Sequence, residues 1–162
     1  MIRFFLAGAG ALVLWLVAAT QVPDQVRMPV EAVVLGATIS QPFGCTSLAL
    51  EPINPTCPLH HIHTGVDLAA ASGTEVHSAT AGLAFIGYDP AGAGQFVEVF
   101  MDSRVRVLYC HLSAFRVQAG DHVVAGQVIG LVGATGLATG PHVHLQIDVD
   151  GVPVDPAVFL SS

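Results

Sequence analysis

Eight histidines are many for a chain of 162 residues, and their spacing says more than their number. His60, His61 and His63 lie just before Asp67, His111 ends an apolar stretch, and His142 and His144 stand two apart. In His142-Val143-His144-Leu145-Gln146-Ile147-Asp148-Val149 polar and apolar residues alternate. As a strand, this segment turns the four apolar side chains to one face and His142, His144, Gln146 and Asp148 to the other, so two imidazoles project side by side. His63 and Asp67, four residues apart, converge only if the chain bends or is helical, and Gly65 between them supplies freedom to bend. Neutral imidazole and carboxylate are good zinc ligands, and catalytic zinc sites hold three protein ligands with a fourth position open to water. His63, Asp67 and one histidine of the strand pair make such a set. The other strand histidine and His111 then remain to handle protons. His77 and His122 stand alone and read as ordinary surface or core residues.

The elements that must position these groups read as β. Strand candidates cover residues 75–77, 82–86, 95–102, 104–112, 123–124, 128–132 and 142–149, and glycines recur between them. In 104–112, Val105, Val107 and Tyr109 alternate with Arg104, Arg106 and Leu108. No helix is expected within the domain except a short C-terminal turn, with Asp155 as N-cap and Pro156 at the first helical position. Gly73-Thr74-Glu75-Val76 and Gly120-Asp121-His122-Val123 echo each other weakly, as a duplicated hairpin unit would. The fold class expected is mainly antiparallel β.

Composition bounds the function. A net charge of −7 without any lysine or basic cluster argues against nucleic acid as partner. Arg3 followed by the uncharged apolar run 4–19 reads as an export signal with a small-residue cleavage site at Val17-Ala18-Ala19, or else as a membrane anchor. Residues 20–36, with two prolines, read as a linker, and 37–162 as one domain. In an oxidising compartment Cys45 and Cys57 can close the Pro-rich loop between them as a disulfide. Cys110 is left over as a small buried hydrophobe.

Taken in order, these pieces closely resemble the lysostaphin/LytM-type zinc endopeptidases. The matching segments are His63-Thr64-Gly65-Val66-Asp67, Leu108-Tyr109-Cys110-His111-Leu112, Gly133-Ala134-Thr135-Gly136 and Thr139-Gly140-Pro141-His142-Val143-His144. Gly73-Thr74-Glu75-Val76, Gly120-Asp121-His122-Val123, Gly126-Gln127-Val128-Ile129-Gly130 and a closing Gly151-Val152-Pro153-Val154-Asp155-Pro156 match as well. The resemblance spans about residues 39 to 160. It implies a twisted antiparallel sheet or sandwich carrying a groove, built on a duplicated hybrid motif. It implies one zinc ion held by His63, Asp67 and His144, with His111 and His142 as the free catalytic histidines. The activity implied is hydrolysis of peptide bonds in peptidoglycan stems or cross-bridges, by a monomer working outside the cytoplasm.

Two rivals stand beside this reading. A non-catalytic wall-associated module, or an activator of other wall hydrolases, is expected to show a broken ligand set, and here all five residues are present. A thiol-protease pair of Cys110 and His111 is disfavoured because strict alternation points neighbouring side chains to opposite faces.

Overall fold

Short alternating segments, interrupted by glycine turns, pair into antiparallel sheets around one apolar interior. The computed structural model describes residues 26–161. In chain order the elements are α1 (Val30–Val33), β1 (Thr38–Gln41), β2 (Gly44–Thr46), β3 (His61–His63), β4 (Val66–Ala69) and β5 (Glu75–His77). There follow β6 (Gly82–Asp89), β7 (Gly94–Phe100), β8 (Val105–Leu112), β9 (Ala114–Phe115), β10 (His122–Val123) and β11 (Val128–Leu131). The chain closes with β12 (His142–Val149), β13 (Val152–Val154) and α2 (Pro156–Leu160). The main sheet runs β1-β4-β12-β8-β7-β6-β10, with β13 also paired to β12. A three-stranded sheet, β5-β11-β9, and a two-stranded one, β2-β3, accompany it.

The mainly β expectation is met. The long strands fall where alternation placed them. β1 to β4, β9 and β13 have two to four residues each, too few for a period of two to show against the background. The side chains of Val143, Leu145 and Ile147 are fully buried, as are Val107 and Tyr109 on β8 and Val97 and Val99 on β7. Val76, Ile129 and Val132, on or beside the small sheet, belong to the same apolar cluster. One face of the main sheet is thus sealed, and the other carries the polar row of β12. Buried Tyr109 stays satisfied because its hydroxyl accepts from Ala79 N at 2.7 Å, and burial pushes its pKa up to about 12. In α2 the Asp155 carboxylate accepts from Ala157 N at 2.8 Å and Pro156 opens the helix, the cap expected from sequence.

Residues 26–36, expected to be linker, instead pack on the domain. Val30, Val33 and Val34 are buried in the common core. Met28 N donates to Ala79 O at 2.8 Å, and Arg27 lies over the Phe159 ring. Three valines that find an apolar interior gain roughly 1.5–3 kcal/mol each on burial, so the core draws on residues before 37. Residues 1–19, read as signal or anchor, lie outside the described residues. No helix among the described residues is long and apolar enough to cross a membrane.

Candidate metal centre

Two sheets meet at the site. β4 and β12 run antiparallel with Asp67 directly opposite His144. His63 ends β3, in the two-stranded sheet, where it pairs with Gly44. The chain turns at Thr64-Gly65 and re-enters the main sheet at Val66, one residue before Asp67. Gly65 is needed for space and not for an unusual dihedral: a Cβ there would lie 2.4 Å from Leu145 O and 2.8 Å from Cε1 and Nε2 of His144. The bend expected of this glycine is therefore a close approach, letting the His144 ring lie against backbone.

His63 Nε2 lies 3.1 Å from Asp67 Oδ1 and 3.0 Å from His144 Nδ1, and these last two atoms are 3.0 Å apart. His63 is fully buried. The three atoms form a compact triangle of potential ligands for one metal ion. Tetrahedral coordination at about 2.0–2.2 Å puts neighbouring donors roughly 3.3–3.6 Å apart, so the set fits after an outward adjustment of a few tenths of an ångström. His63 Nδ1 lies 2.9 Å from the Pro42 carbonyl, which only accepts. Nδ1 therefore carries the proton, and in the neutral ring the Nε2 lone pair faces the triangle. Electron pairs converging in this way call for a cation or a proton. Burial opposes ionisation of both His63 and Asp67, yet their mutual hydrogen bonding outweighs it. The histidine's affinity for a proton is raised, with the Pro42 carbonyl assisting. The carboxyl is held far below the ordinary carboxylate range by its bonds from His144 and His63.

His142 and His111 stand beside the triangle. His142 Nε2 is 3.8 Å from Asp67 Oδ1, and its Nδ1 donates to Gly140 O at 2.8 Å. The His111 ring is 4.6 Å from that of His142, centroid to centroid, and its Nδ1 donates to Thr135 O at 2.9 Å. Both rings thus leave Nε2 as the unprotonated atom of the neutral form. Burial lowers the proton affinity of His111 below the ordinary imidazole value, and the charges of its histidine neighbours add to this.

The placement of His111 corrects an expectation. Strict alternation along β8 would bury it on the face of Val107 and Tyr109. Instead, Cys110 and His111 together oppose the single residue Phe96 of β7, with His111 at φ 63°. The extra residue shifts the phase by one, so Leu112 enters the core while Cys110 and His111 both line the groove. The argument that these two point to opposite faces fails here. The thiol stays protonated all the same, because burial and then the Glu98 charge push it up to about 12.

The groove over the site has a volume of about 350 Å³. Leu48, Leu50 and Glu51 form part of its wall, together with Leu137 and Thr139. The first three belong to the loop that the Cys45–Cys57 disulfide closes. That loop is tied to β3 by Ile62 N donating to Pro52 O and by His61 Nδ1 donating to Glu51 O. His77 sits near Glu75, and His122 is exposed on β10; neither joins the site. Sequence reasoning missed Thr135, whose hydroxyl accepts from Gln95 N and donates to Leu112 O while its carbonyl holds His111. Only its place in a Gly-x-Thr-Gly turn could have suggested it. Gln146, assigned no role from sequence beyond its face, accepts from the Thr64 hydroxyl at 2.7 Å.

The family model described as peptidase family M23 matches residues 61–156. The DD-carboxypeptidase/endopeptidase Mpg of Neisseria meningitidis is 40% identical over 118 residues, 73% of this chain and 26% of that protein. Lysostaphin of Staphylococcus simulans is 37% identical over 107 residues, 62% of this chain and 22% of that protein. The chain thus spans about a quarter of the length of these relatives. Among solved structures, the catalytic domain of lysostaphin from Staphylococcus simulans superposes with a TM-score of 0.68 at 32% identity, covering 78% of this chain and 93% of that domain. A zinc-containing peptidase from Vibrio cholerae gives 0.66 at 28% identity, covering 81% and 40%.

Proposed function

The chain belongs to peptidase family M23, and on that premise we propose that it is a zinc-dependent endopeptidase hydrolysing peptide bonds in the stems or cross-bridges of bacterial peptidoglycan. The observation that carries the reading is the meeting of His63, Asp67 and His144 within 3.1 Å of one another beside two further histidines. The peptidoglycan DD-endopeptidase ShyA of Vibrio cholerae, 38% identical over 93 residues, supports the substrate class. The disulfide-closed loop and the apolar run at residues 4–19 support work outside the cytoplasm, after export or at an anchor. The partners are peptidoglycan peptides, met by a monomer, and not nucleic acid.

His63, Asp67 and His144 would hold the ion. The chemistry a zinc ion would supply there is a bound water made acidic enough to attack near neutral pH and a Lewis acid for the scissile carbonyl. The remaining steps fall to the chain's own side chains. His111, kept neutral by burial, takes the proton of the attacking water at Nε2. His111 then returns that proton to the leaving amine, and His142, its Nδ1–H fixed on Gly140 O, steadies the developing oxyanion only with Nε2 protonated as well. The apolar groove wall orients the peptide and thins the water around it.

Two variants test the roles. His144→Ala loses zinc and activity together. His111→Ala keeps zinc and loses about 10²–10⁴-fold in rate. Zinc content by atomic absorption and clearance of wall suspensions read both, and mass spectrometry of the digest names the bond. Normal zinc in His144→Ala would break the ligand assignment. Zinc without hydrolysis in the unaltered protein would leave a non-catalytic wall module instead.

A further inference from the structure

We infer that Gln146 is a positioning residue that selects which nitrogen of His144 faces the ion, an assignment that rests on the metal site proposed above. The chain of contacts begins two positions further along β12, at Asp148. Asp148 is almost completely buried, and its Oδ2 accepts from Arg106 Nε at 2.9 Å and lies 2.8 Å from Arg106 Nη2. Arg106 also donates from Nη1 to Glu98 at 2.7 Å. Asp148 is thus held as a carboxylate between two strands, and its Oδ1 is left to accept one more bond. Gln146 Nε2 donates that bond at 2.8 Å. A carboxylate only accepts, so this contact decides which end of the Gln146 amide is which. The amide oxygen must point the other way, where it accepts from Thr64 Oγ1 at 2.7 Å and lies 3.4 Å from His144 Nε2.

His144 meets an oxygen whose orientation is already determined by its neighbours. Nε2 must donate to it, so Nε2 carries the ring proton, and in the neutral ring the lone pair of Nδ1 faces His63 and Asp67. The three other histidines of the site have the reverse arrangement, each with Nδ1–H on a backbone carbonyl. His144 differs because, among the described residues, no backbone carbonyl is bonded to either of its ring nitrogens, and a side-chain amide serves in place of one. The relay Glu98–Arg106–Asp148–Gln146–His144 thereby links β7 and β8 to one corner of the triangle.

The test reads zinc affinity and ring protonation, so it does not depend on hydrolysis. Gln146→Met keeps length and loses the acceptor. Zinc affinity, measured by competition with a chromogenic chelator, is expected to fall about 10–100-fold. Melting of the metal-free protein should change much less than such a loss would imply. Gln146→Glu restores an acceptor while removing the donor to Asp148, and is expected to keep zinc affinity within about threefold. Nitrogen-15 spectra of the zinc-loaded unaltered protein should show His144 bound through Nδ1 and protonated at Nε2. A folded Gln146→Met protein with unchanged zinc affinity, or a spectrum with His144 bound through Nε2, would overturn the inference. Should Gln146→Met fail to fold, Thr64→Val removes only the hydroxyl that braces the same oxygen, and unchanged zinc affinity there would overturn it equally. An unaltered protein without zinc affinity would sink the peptidase reading as well. Zinc binding that is indifferent to position 146 sinks only this assignment.

Discussion

Replacing Gly65 by alanine adds one methyl group and should cost the site far more than the fold. The new Cβ would stand 2.4 Å from Leu145 O and 2.8 Å from two atoms of the His144 ring. Ordinary contacts between such atoms begin near 3.2–3.4 Å, so the overlaps are roughly 0.5–0.9 Å. Leu145 is locked in register on both sides, opposite Val66 of β4 and Tyr109 of β8, so it cannot retreat. The Thr64–Gly65 turn, which joins His63 to the strand of Asp67, and the His144 ring must share the displacement. Sites of this kind tolerate about 0.5 Å, and misplacement by about 1 Å costs on the order of 10²-fold in rate. Zinc affinity should therefore drop about 10–100-fold and wall hydrolysis at least as far. Overpacking costs about 1–3 kcal/mol, while the stiffer unfolded chain returns about 0.4–1. A net loss of about 1–2 kcal/mol lowers the melting temperature by roughly 3–8 °C. Chelator competition, turbidity and thermal melts of the metal-free protein measure the three quantities separately. A Gly65→Ala protein with unaltered zinc affinity and activity would refute the claim that room over His144 is what this glycine supplies.

Other outcomes follow from the same geometry. In the metal-free protein His63 binds its proton more tightly than the ordinary 6.5, so its stabilising share is full below that pH and is lost as pH rises through its folded value. Asp67 is shifted down from 3.8, so its share is present above that pH and is lost as pH falls through its lower folded value. The melting-temperature difference between the unaltered protein and Asp67→Asn should thus be greatest between pH 3.8 and 6.5, and growth of that difference from pH 7 to 9 would contradict the pairing. Thr135→Val strands the Gln95 amide while sparing the carbonyl that holds His111. It should cost about 1–3 kcal/mol in stability and lower kcat with zinc content unchanged, as melts, kinetics and metal analysis would show. Cys45→Ser removes the closure of a wall loop and about 3 kcal/mol in the chain-entropy picture. Limited proteolysis should then cut between residues 46 and 56 before the rest of the domain.

The face of β12 that brings His142 and His144 to the candidate site was legible without coordinates, because a period of two is a local property of eight consecutive residues. The same holds for the cap at Asp155 and for the class of fold. Alternation failed at His111, where one extra residue in β8 and a left-handed backbone exchange core for groove. Nothing local marks that position, since the bulge is decided by pairing with β7. Packing before residue 37 was equally hidden, because three valines in a proline-bearing stretch acquire meaning only once a core exists to receive them. The meeting of positions 63 and 67 with 144, some eighty residues on, is a matter of strand register. So is the alignment of Asp148, Gln146 and His144 with Arg106. Register is settled by long-range hydrogen bonding across the sheet, which the order of residues along one strand does not contain.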